Sequence, residues 1–372
     1  MAGHSWRYFD PLLLIGALAL AGYGALVIYS ASLPRGVEGV VLSSAVQRHI
    51  AFAIVGAVLM IAMTRVDYRL IDALGWLAYS FGIVVLVAVL FVGSDEFGAR
   101  RWFDLGFTVV QASEIGKLMT VIGLAKFLTD FRDRLHEWRI FFASLAIVAL
   151  PALLVFLEPD AGSAVVFLAI WFVMTLFAGV RLRQYAALAA IGLCLVPVGL
   201  AAGVQDYQRD RIRAFLDPES DPQGAGFNVI QAETSVGSGG LWGQGLTEGT
   251  QTQLDFVRIQ TTDFIFSVLG EELGFVGAMA LFALFLLLLL RMLRVINQAP
   301  EPLGRLLAVG MVTIIAIQAF INVAINVRLI PVTGIPLPFV STGNSSLLML
   351  FIGLGLLQSV LAWKDDARRS ER

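Results

Sequence analysis

Long apolar runs recur along the whole chain, each separated from the next by a short polar segment. The ten candidate spans are 11–31, 50–64, 73–93, 113–129, 138–157, 163–180, 184–203, 264–290, 304–327 and 344–362. A helix needs about 20 apolar residues to cross the hydrocarbon core of a bilayer. Lipid offers no hydrogen-bond partners to free backbone groups, so the runs are expected to be helices and not strands. The pattern predicts an all-α integral membrane protein of about ten transmembrane helices, a single polytopic domain of residues 1–372.

Composition supports the membrane assignment. Hydrophobic residues make up 58% of the chain, charged residues only 15%, and the mean hydropathy is +0.81. A soluble domain carries roughly 25% charged residues. The net charge of −2 argues against a nucleic-acid partner. The single cysteine, Cys194, leaves neither a disulfide nor a thiolate metal site available.

The basic residues predict the orientation of the chain. With a cytoplasmic N-terminus, 16 lysines and arginines fall in inner segments and 9 in outer segments. Positive residues are concentrated on the cytoplasmic side of membrane proteins, so both termini are predicted to be cytoplasmic. Residues 204–262, between the seventh and eighth predicted helices, then form a large extracytoplasmic loop. This loop is too long to be a simple connector.

Two charged residues, Glu114 and Lys117, fall inside the fourth predicted span, three positions apart on one helix face. Charges at membrane depth are costly and call for an explanation. One interpretation is a neutralising ion pair that joins helices; the other is a lysine facing a cavity that holds an anion. The spacing alone favours neither.

Further candidate groups flank the spans at their outer ends. Arg101, next to Trp102, is either an interface anchor or part of a phosphate site, since guanidinium groups pair with phosphate oxygens. Asp263 opens the eighth span, where an acid is also favoured by the helix dipole. A carboxylate, a lysine and an arginine at one level suit deprotonation of a hydroxyl opposite an anionic leaving group. Glu271 and Glu272 are interpreted as structural, paired or hydrogen-bonded within the bundle.

The chain lacks the motifs of several other chemistries. It contains no Walker phosphate-binding loop, no His-x-x-x-His pair and no Ser-x-x-Lys acylation motif. ATP-driven transport and serine peptidase chemistry therefore lack the residues that they need.

Several motifs, in order along the chain, resemble those of the SEDS family (shape, elongation, division and sporulation). They are Gly98-Ala-Arg-Arg-Trp-Phe-Asp-Leu-Gly, Gln111 to Lys117, Glu158-Pro-Asp-Ala-Gly-Ser, Asp206-Tyr-Gln-Arg to Gly226, Gly237-Ser-Gly-Gly-Leu-Trp-Gly-Gln-Gly, Thr262-Asp-Phe-Ile-Phe to Gly274 and Gly334-Ile-Pro-Leu-Pro-Phe-Val-Ser-Thr-Gly. The element Gly249-Thr-Gln favours the branch that acts in cell elongation over the branch that acts in division.

The resemblance implies a peptidoglycan glycosyltransferase that polymerises lipid II into glycan strands, inverts the donor sugar and releases undecaprenyl pyrophosphate. It implies that Asp263 is catalytic. The predicted substrate-binding residues on the matched motifs are Lys117, Arg101, Glu114, Asp160, Arg209, Gln253, Thr262 and Ser341. The implied location is the bacterial inner membrane, with the active site facing outward.

The resemblance also implies partners. These are a class B penicillin-binding protein, which is a transpeptidase, and other membrane proteins of the elongation complex, with no nucleic acid. The predicted outer loop holds eight acidic residues against four arginines. Either the arginines cluster near the pyrophosphate or a divalent cation, Mg²⁺ or Mn²⁺, binds there, and no nucleotide or organic cofactor is expected. Two other functions stay open: a flippase for lipid II and a non-catalytic scaffold for the penicillin-binding protein.

The chain departs from the family pattern at three places. Arg258-Ile-Gln-Thr261 stands where the family commonly has Pro-Glu-x-His, and Ala112 stands where proline is usual. Ser341-Thr-Gly-Asn replaces Ser-Tyr-Gly-Gly near the end of the chain. These departures bear on the residues around Asp263, Lys117 and Arg101, which are themselves present.

Overall fold

The computed structural model describes residues 6–33, 42–96, 99–106, 108–202, 211, 213–221, 226–254 and 260–364. The helices are α1 (Pro11–Ala31), α2 (Ser44–Met63), α3 (Leu70–Val92), α4 (Ala112–Asp130), α5 (Trp138–Leu157), α6 (Ala161–Ala178), α7 (Leu182–Ala202), α8 (Phe227–Ser238), α9 (Thr250–Gln253), α10 (Ile265–Gln298), α11 (Pro302–Asn326) and α12 (Asn344–Ala362). The strands are β1 (Ser94–Glu96), β2 (Ala99–Asp104) and β3 (Val109–Gln111). Short 3-10 turns lie at Trp6–Tyr8, Arg132–Arg134 and Pro218–Ser220.

Eight helices of the described chain are long and apolar enough to cross a membrane. They are α1, α2, α3, α5, α6, α10, α11 and α12. The predicted spans at 113–129 and 184–203 are also helical, as α4 and α7, but they are not among these eight. The mainly helical, membrane-spanning architecture is confirmed, whereas the count of ten spans stays a prediction.

The composition of α4 follows from its position in the bundle. Its buried residues lie on all sides of the helix, and it packs against α3, α5, α6, α11 and α12. A helix enclosed by other helices needs little apolar surface toward lipid, so it can carry Glu114, Lys117 and Lys126. This explains why hydropathy identifies α4 only weakly.

Burial divides the other helices into central and peripheral ones. Within the most apolar stretch of each helix, 83% of α12 is buried but only 22% of α3. The outer helices expose large apolar side chains such as Leu77 on α3 and Leu153 on α5. Such a surface is stable only against lipid, which supports membrane insertion.

A small antiparallel sheet, in the order β1-β2-β3, connects α3 to α4. Trp102 pairs with Gln111 across β2 and β3. The hydroxyl of Ser345, in the first turn of α12, accepts a hydrogen bond from the Gln111 amide and donates one to the Val109 carbonyl. The expectation of an all-α fold thus misses this element, which forms because backbone groups between two helices also need partners.

Two helix boundaries differ from the apolar runs. α2 begins at Ser44, six residues before the predicted span, because Ser43 caps it by accepting a hydrogen bond from the amide of Val46. α10 continues to Gln298, beyond the predicted end at 290, since a helix can leave the apolar zone and stay helical.

A break interrupts α10 at Gly274, whose φ of 62° and ψ of −160° are not helical. Backbone groups of the preceding loop repair the broken hydrogen-bond pattern. The amides of Gln244 and Gly245 donate to the carbonyls of Glu271 and Glu272, at 2.9 and 3.0 Å. On the other side of the break, two further bonds run from α10 amides to loop carbonyls: Phe275 to Gly240 and Val276 to Leu241, at 2.9 and 3.1 Å. The loop that precedes α10 is therefore built into this helix.

Two carboxylates beside this break attach the loop more firmly. Glu271 accepts hydrogen bonds from the amides of Gln251 and Thr252, at 2.7 and 3.0 Å, and from the Thr252 hydroxyl at 2.7 Å. Glu272 accepts one from the Ser30 hydroxyl of α1 at 2.6 Å. The prediction that both glutamates are hydrogen-bonded within the bundle is confirmed. The limits of the loop at 204–262, its outer location and the single-domain organisation stay predictions.

Candidate active site

Asp263 lies in the turn at 261–264 that leads into α10, and its side chain is partly buried. Two amides on successive turns of α11 hold its backbone. Asn322 and Asn326 donate through Nδ2 to the Asp263 carbonyl at 3.0 and 2.9 Å. Asn326 Oδ1 accepts from the amide of Ser267 at 3.0 Å. The position of Asp263 is thus fixed by hydrogen bonds on the carboxyl-terminal turns of a buried helix.

The segment before α12 holds the same turn from another side. The Ser341 hydroxyl donates to the carbonyl of Thr262 at 2.7 Å, and the amide of Leu337 donates to that hydroxyl at 2.9 Å. Thr342 donates to the Thr261 carbonyl through both its amide and its hydroxyl, at 3.0 Å each. The departure from the family pattern at Thr342 therefore still supplies a direct contact to the turn.

Gly334 brings backbone close to the Asp263 carboxylate. Its φ is +78°, a conformation that side-chain-bearing residues rarely adopt. A Cβ atom at this position would lie 3.7 Å from Oδ2 of Asp263. Glycine here leaves space immediately beside the carboxylate.

The surroundings of Asp263 raise the pKa of its carboxyl group to about 6, chiefly through burial. Arg101 and Arg211 act against this rise, Asp160 adds to it, and a hydrogen bond from the Thr262 side chain lowers the pKa slightly. At neutral pH most Asp263 side chains are ionised, yet they bind a proton far more readily than an ordinary aspartate. A pKa near the working pH is what general base catalysis needs.

Arg101 lies on β2, and its guanidinium carbon is 4.3 Å from the ring centre of Trp102. Both interpretations of the pair are compatible with this stacking. The Arg101 Nε is buried and has no hydrogen-bond partner among the described residues. Nearby, Asp160 caps α6 by accepting from the amide of Ser163 at 3.0 Å, and it also accepts from Gln111 Nε2 at 3.2 Å. The structure brings Arg101, Asp160 and Asp263 into one charged cluster.

Lys117 pairs with Glu114, Nζ to Oε1, at 2.6 Å, and both side chains are almost fully buried. Both also line a small cavity with Met311, Ile314 and Met349. The ion pair of the first interpretation is therefore present, and Lys117 also borders a cavity; that this cavity holds an anion stays a prediction. In the described chain the contacts of Lys117 are with Glu114 and this cavity, and a role beside Asp263 stays a prediction.

Two other predicted substrate-binding residues are not placed in the cluster. Gln253 donates through Nε2 to the Ser30 carbonyl at 3.3 Å and contacts Glu272, so it lies against α1. Arg209 falls outside the described residues. Their roles in substrate binding stay predictions, as do those of the other candidate residues.

Sequence reasoning missed four residues of the site. In the sequence, Arg211 is only one of the four arginines of the predicted loop, whereas in the structure it is a charged neighbour of Asp263. Asn322 and Asn326 are four residues apart in an otherwise apolar helix. Amide side chains in such a helix usually bond to neighbouring segments, so the sequence does carry a signal for this pair. Glu158 belongs to a quoted motif, but nothing in the pattern indicated that it lies beside Asp160 and Arg101.

The described residues do not form a recognisable metal site. Within them, no three histidine, cysteine or acidic side chains come together in a way that holds a metal ion. The divalent cation stays a prediction, and no chemical step is assigned to it.

Comparison with known proteins decides the family. The model of the FtsW/RodA/SpoVE family, described as a cell cycle protein, matches residues 11–365. The chain belongs to this family. The expected SEDS relationship is thereby confirmed, and with it a multi-pass protein of the inner membrane.

Relatives of this FtsW/RodA/SpoVE protein include an enzyme and two solved structures. The peptidoglycan glycosyltransferase MrdB of Escherichia coli K12 is 37% identical over 359 residues, covering 95% of this chain and 93% of MrdB. A chain of a peptidoglycan synthase complex that coordinates polymerization and crosslinking superposes with a TM-score of 0.79 at 32% identity, covering 96% and 98% of the two chains. The rod shape determining protein RodA of Thermus thermophilus superposes with a TM-score of 0.70 at 28% identity, covering 96% and 98%. These names agree with the expected glycosyltransferase activity.

Proposed function

We propose that this FtsW/RodA/SpoVE protein is a peptidoglycan glycosyltransferase that polymerises lipid II at the outer face of the inner membrane. The observation that carries the proposal is the Asp263 carboxylate, fixed by two asparagines and tuned to a pKa of about 6 beside Arg101 and Arg211. MrdB, which matches nearly the whole chain over nearly its own full length, is named for this activity.

In the proposed reaction, Asp263 accepts the proton from the 4-hydroxyl of the acceptor sugar. The hydroxyl oxygen forms a bond to the anomeric carbon of the donor from the opposite face to the leaving group. The bond from that carbon to the diphosphate oxygen breaks, and undecaprenyl pyrophosphate leaves with the electron pair. The configuration at the anomeric carbon is therefore inverted.

The leaving diphosphate needs positive charge or hydrogen-bond donors, because negative charge develops on it as the bond breaks. Arg101 supplies a guanidinium group at the same cluster as Asp263, and a guanidinium can pair with two phosphate oxygens. Arg211 adds a second positive charge. Lys117, which pairs with Glu114 and borders the small cavity, is proposed as a further positive charge for the departing diphosphate.

A class B penicillin-binding protein is the proposed partner, because a similar chain occurs in a peptidoglycan synthase complex. The outward orientation of the site rests on the excess of 16 inner over 9 outer basic residues. An outward site also suits a reaction whose product lies outside the membrane.

The test is polymerisation of labelled lipid II by the purified full-length protein with its penicillin-binding partner, with products separated by length. Wild type should form glycan polymers, and Asp263→Asn should lower the rate by at least about 100-fold. Asp217→Asn, an exposed aspartate of the outer loop, is the matched control and should behave as wild type.

Two outcomes would contradict the proposal. Wild type that makes no polymer with any partner or cation would exclude the glycosyltransferase, and lipid II transport into vesicles would then identify a flippase. Normal polymerisation by Asp263→Asn would exclude the mechanism and leave the enzyme class.

A further inference from the structure

Glu158 is a buried carboxyl group that the proposed reaction does not use. It follows the last residue of α5, and only 1% of its surface is exposed. Neither of its carboxyl oxygens has a hydrogen-bond partner among the described residues. A charged carboxylate in this state would be among the least stable arrangements in a protein.

Three features of the structure keep Glu158 neutral. Burial removes the water that would solvate its charge. The carboxyl-terminal end of α5 carries partial negative charge, which further disfavours an anion there. The third feature is the neighbouring Asp160. Burial first, and then Asp160, raise the pKa of the Glu158 carboxyl to about 8 against the opposing effect of Arg101.

A neutral carboxylic acid has one O–H group to donate. Within the described chain, this group has no hydrogen-bond partner. The buried Nε of the neighbouring Arg101 is also a donor without an acceptor. Two unsatisfied buried donors of this kind, in a cluster with Asp263, indicate a ligand that brings acceptor oxygens.

We propose that Glu158, held as a neutral acid, donates a hydrogen bond to an oxygen of the lipid-linked diphosphate that Arg101 also contacts. This inference rests on the proposed function, because that function supplies the diphosphate. A neutral donor is suited to this place because a carboxylate would repel the diphosphate and compete for the guanidinium group of Arg101.

The experiment measures the affinity of purified full-length protein in detergent for undecaprenyl pyrophosphate at pH 7 and pH 9. At pH 7, Glu158→Gln keeps a neutral donor of similar shape and should bind within about twofold of wild type. Glu158→Ala removes a hydrogen bond to a charged ligand and should bind at least about tenfold more weakly. Glu137→Gln, at the opposite end of α5 and paired with Arg134, should match wild type.

The pH series separates a titrating contact from a structural role. Wild type should bind about tenfold more weakly at pH 9, because roughly nine-tenths of Glu158 is ionised one unit above its pKa. Glu158→Gln should lose this dependence. Thermal melting of each variant at both pH values checks that the protein stays folded.

Three results would overturn the proposal. One is a Glu158→Gln variant as weak as Glu158→Ala, which would mean that the carboxylate charge is required. Another is wild-type affinity in Glu158→Ala. The third is an equal effect of Glu158→Ala on the binding of undecaprenol, which has no diphosphate. If the diphosphate binds in a Glu158-dependent way but lipid II is not polymerised, the proposed function fails and this inference stands.

Discussion

Replacement of Glu271 by alanine should loosen residues 250–254 from α10. The Glu271 carboxylate accepts three hydrogen bonds of 3.0 Å or shorter, from two amides at the start of α9 and from the Thr252 hydroxyl. A longer contact of 3.4 Å comes from the Thr250 hydroxyl. These donors lie where the amides of a short helix have no partners within the helix.

The size of the effect follows from the two backbone amides. A hydrogen bond to a charged group contributes about 1.5–3 kcal/mol, so loss of two gives at least about 3 kcal/mol. This lowers the free energy of opening of residues 250–254 and speeds their amide exchange roughly 150-fold. The exchange rate in Glu271→Gln should lie between those of wild type and Glu271→Ala, because the glutamine amide keeps one acceptor oxygen but places an NH₂ group against the other donors.

Hydrogen–deuterium exchange with mass spectrometry on the peptide that contains 250–254 measures this directly. Glu219→Ala, which changes an exposed glutamate of the same predicted loop, is the control and should exchange as wild type. Unchanged exchange in Glu271→Ala, with the variant folded, would refute the assigned role of the carboxylate.

Three further predictions concern the site and the helix break. Gly274→Ala should destabilise the protein by at least about 1–3 kcal/mol, because alanine is strained at that φ and ψ and its Cβ meets the Gly243 amide. The melting temperature should fall accordingly, whereas Gly237→Ala, which has open space around it, should melt as wild type. Asn326→Ala removes the bond from Nδ2 to the Asp263 carbonyl and one of the two acceptors of the Ser267 amide. At about 0.5–1.5 kcal/mol for each bond, it should cost about 1–3 kcal/mol and slow polymerisation; a variant with normal melting and rate would exclude this role. Polymerisation should halve near pH 6 as Asp263 becomes protonated, since its pKa is raised to about 6; an acid midpoint near 4 would show an ordinary aspartate.

The membrane-spanning helices could be predicted from the sequence because the bilayer imposes a single rule on every segment. Runs such as 138–157 coincide with α5, since an apolar segment of that length has no other stable state in lipid. The hydropathy signal for α4 is weaker, because a helix enclosed by other helices does not need an apolar surface toward lipid. The sheet at 94–111 was missed, since short strands depend on partners that the local pattern does not reveal.

The candidate site, too, could be predicted from the sequence only in part. The sequence motifs identified Asp263, Arg101 and Asp160, whose residue types suit the chemistry, and the tertiary structure brings these three together. Lys117 contacts Glu114 and the cavity, and its expected level beside Asp263 stays a prediction. The depth of a residue in the bundle depends on how the helices are shifted against one another, so it cannot be derived from the sequence.

Hydropathy and residue type are local properties, so the membrane location, the helical runs and the motifs that carry polar groups can all be derived from the sequence. The closing of the broken α10 by the preceding loop, and the bonds from Asn322 and Asn326 to Asp263, are visible only in the folded protein. The same holds for Glu158, which lies near Arg101 without a hydrogen-bond partner among the described residues. These features depend on contacts between segments far apart in the chain, and the charge that a buried group carries is set by such neighbours.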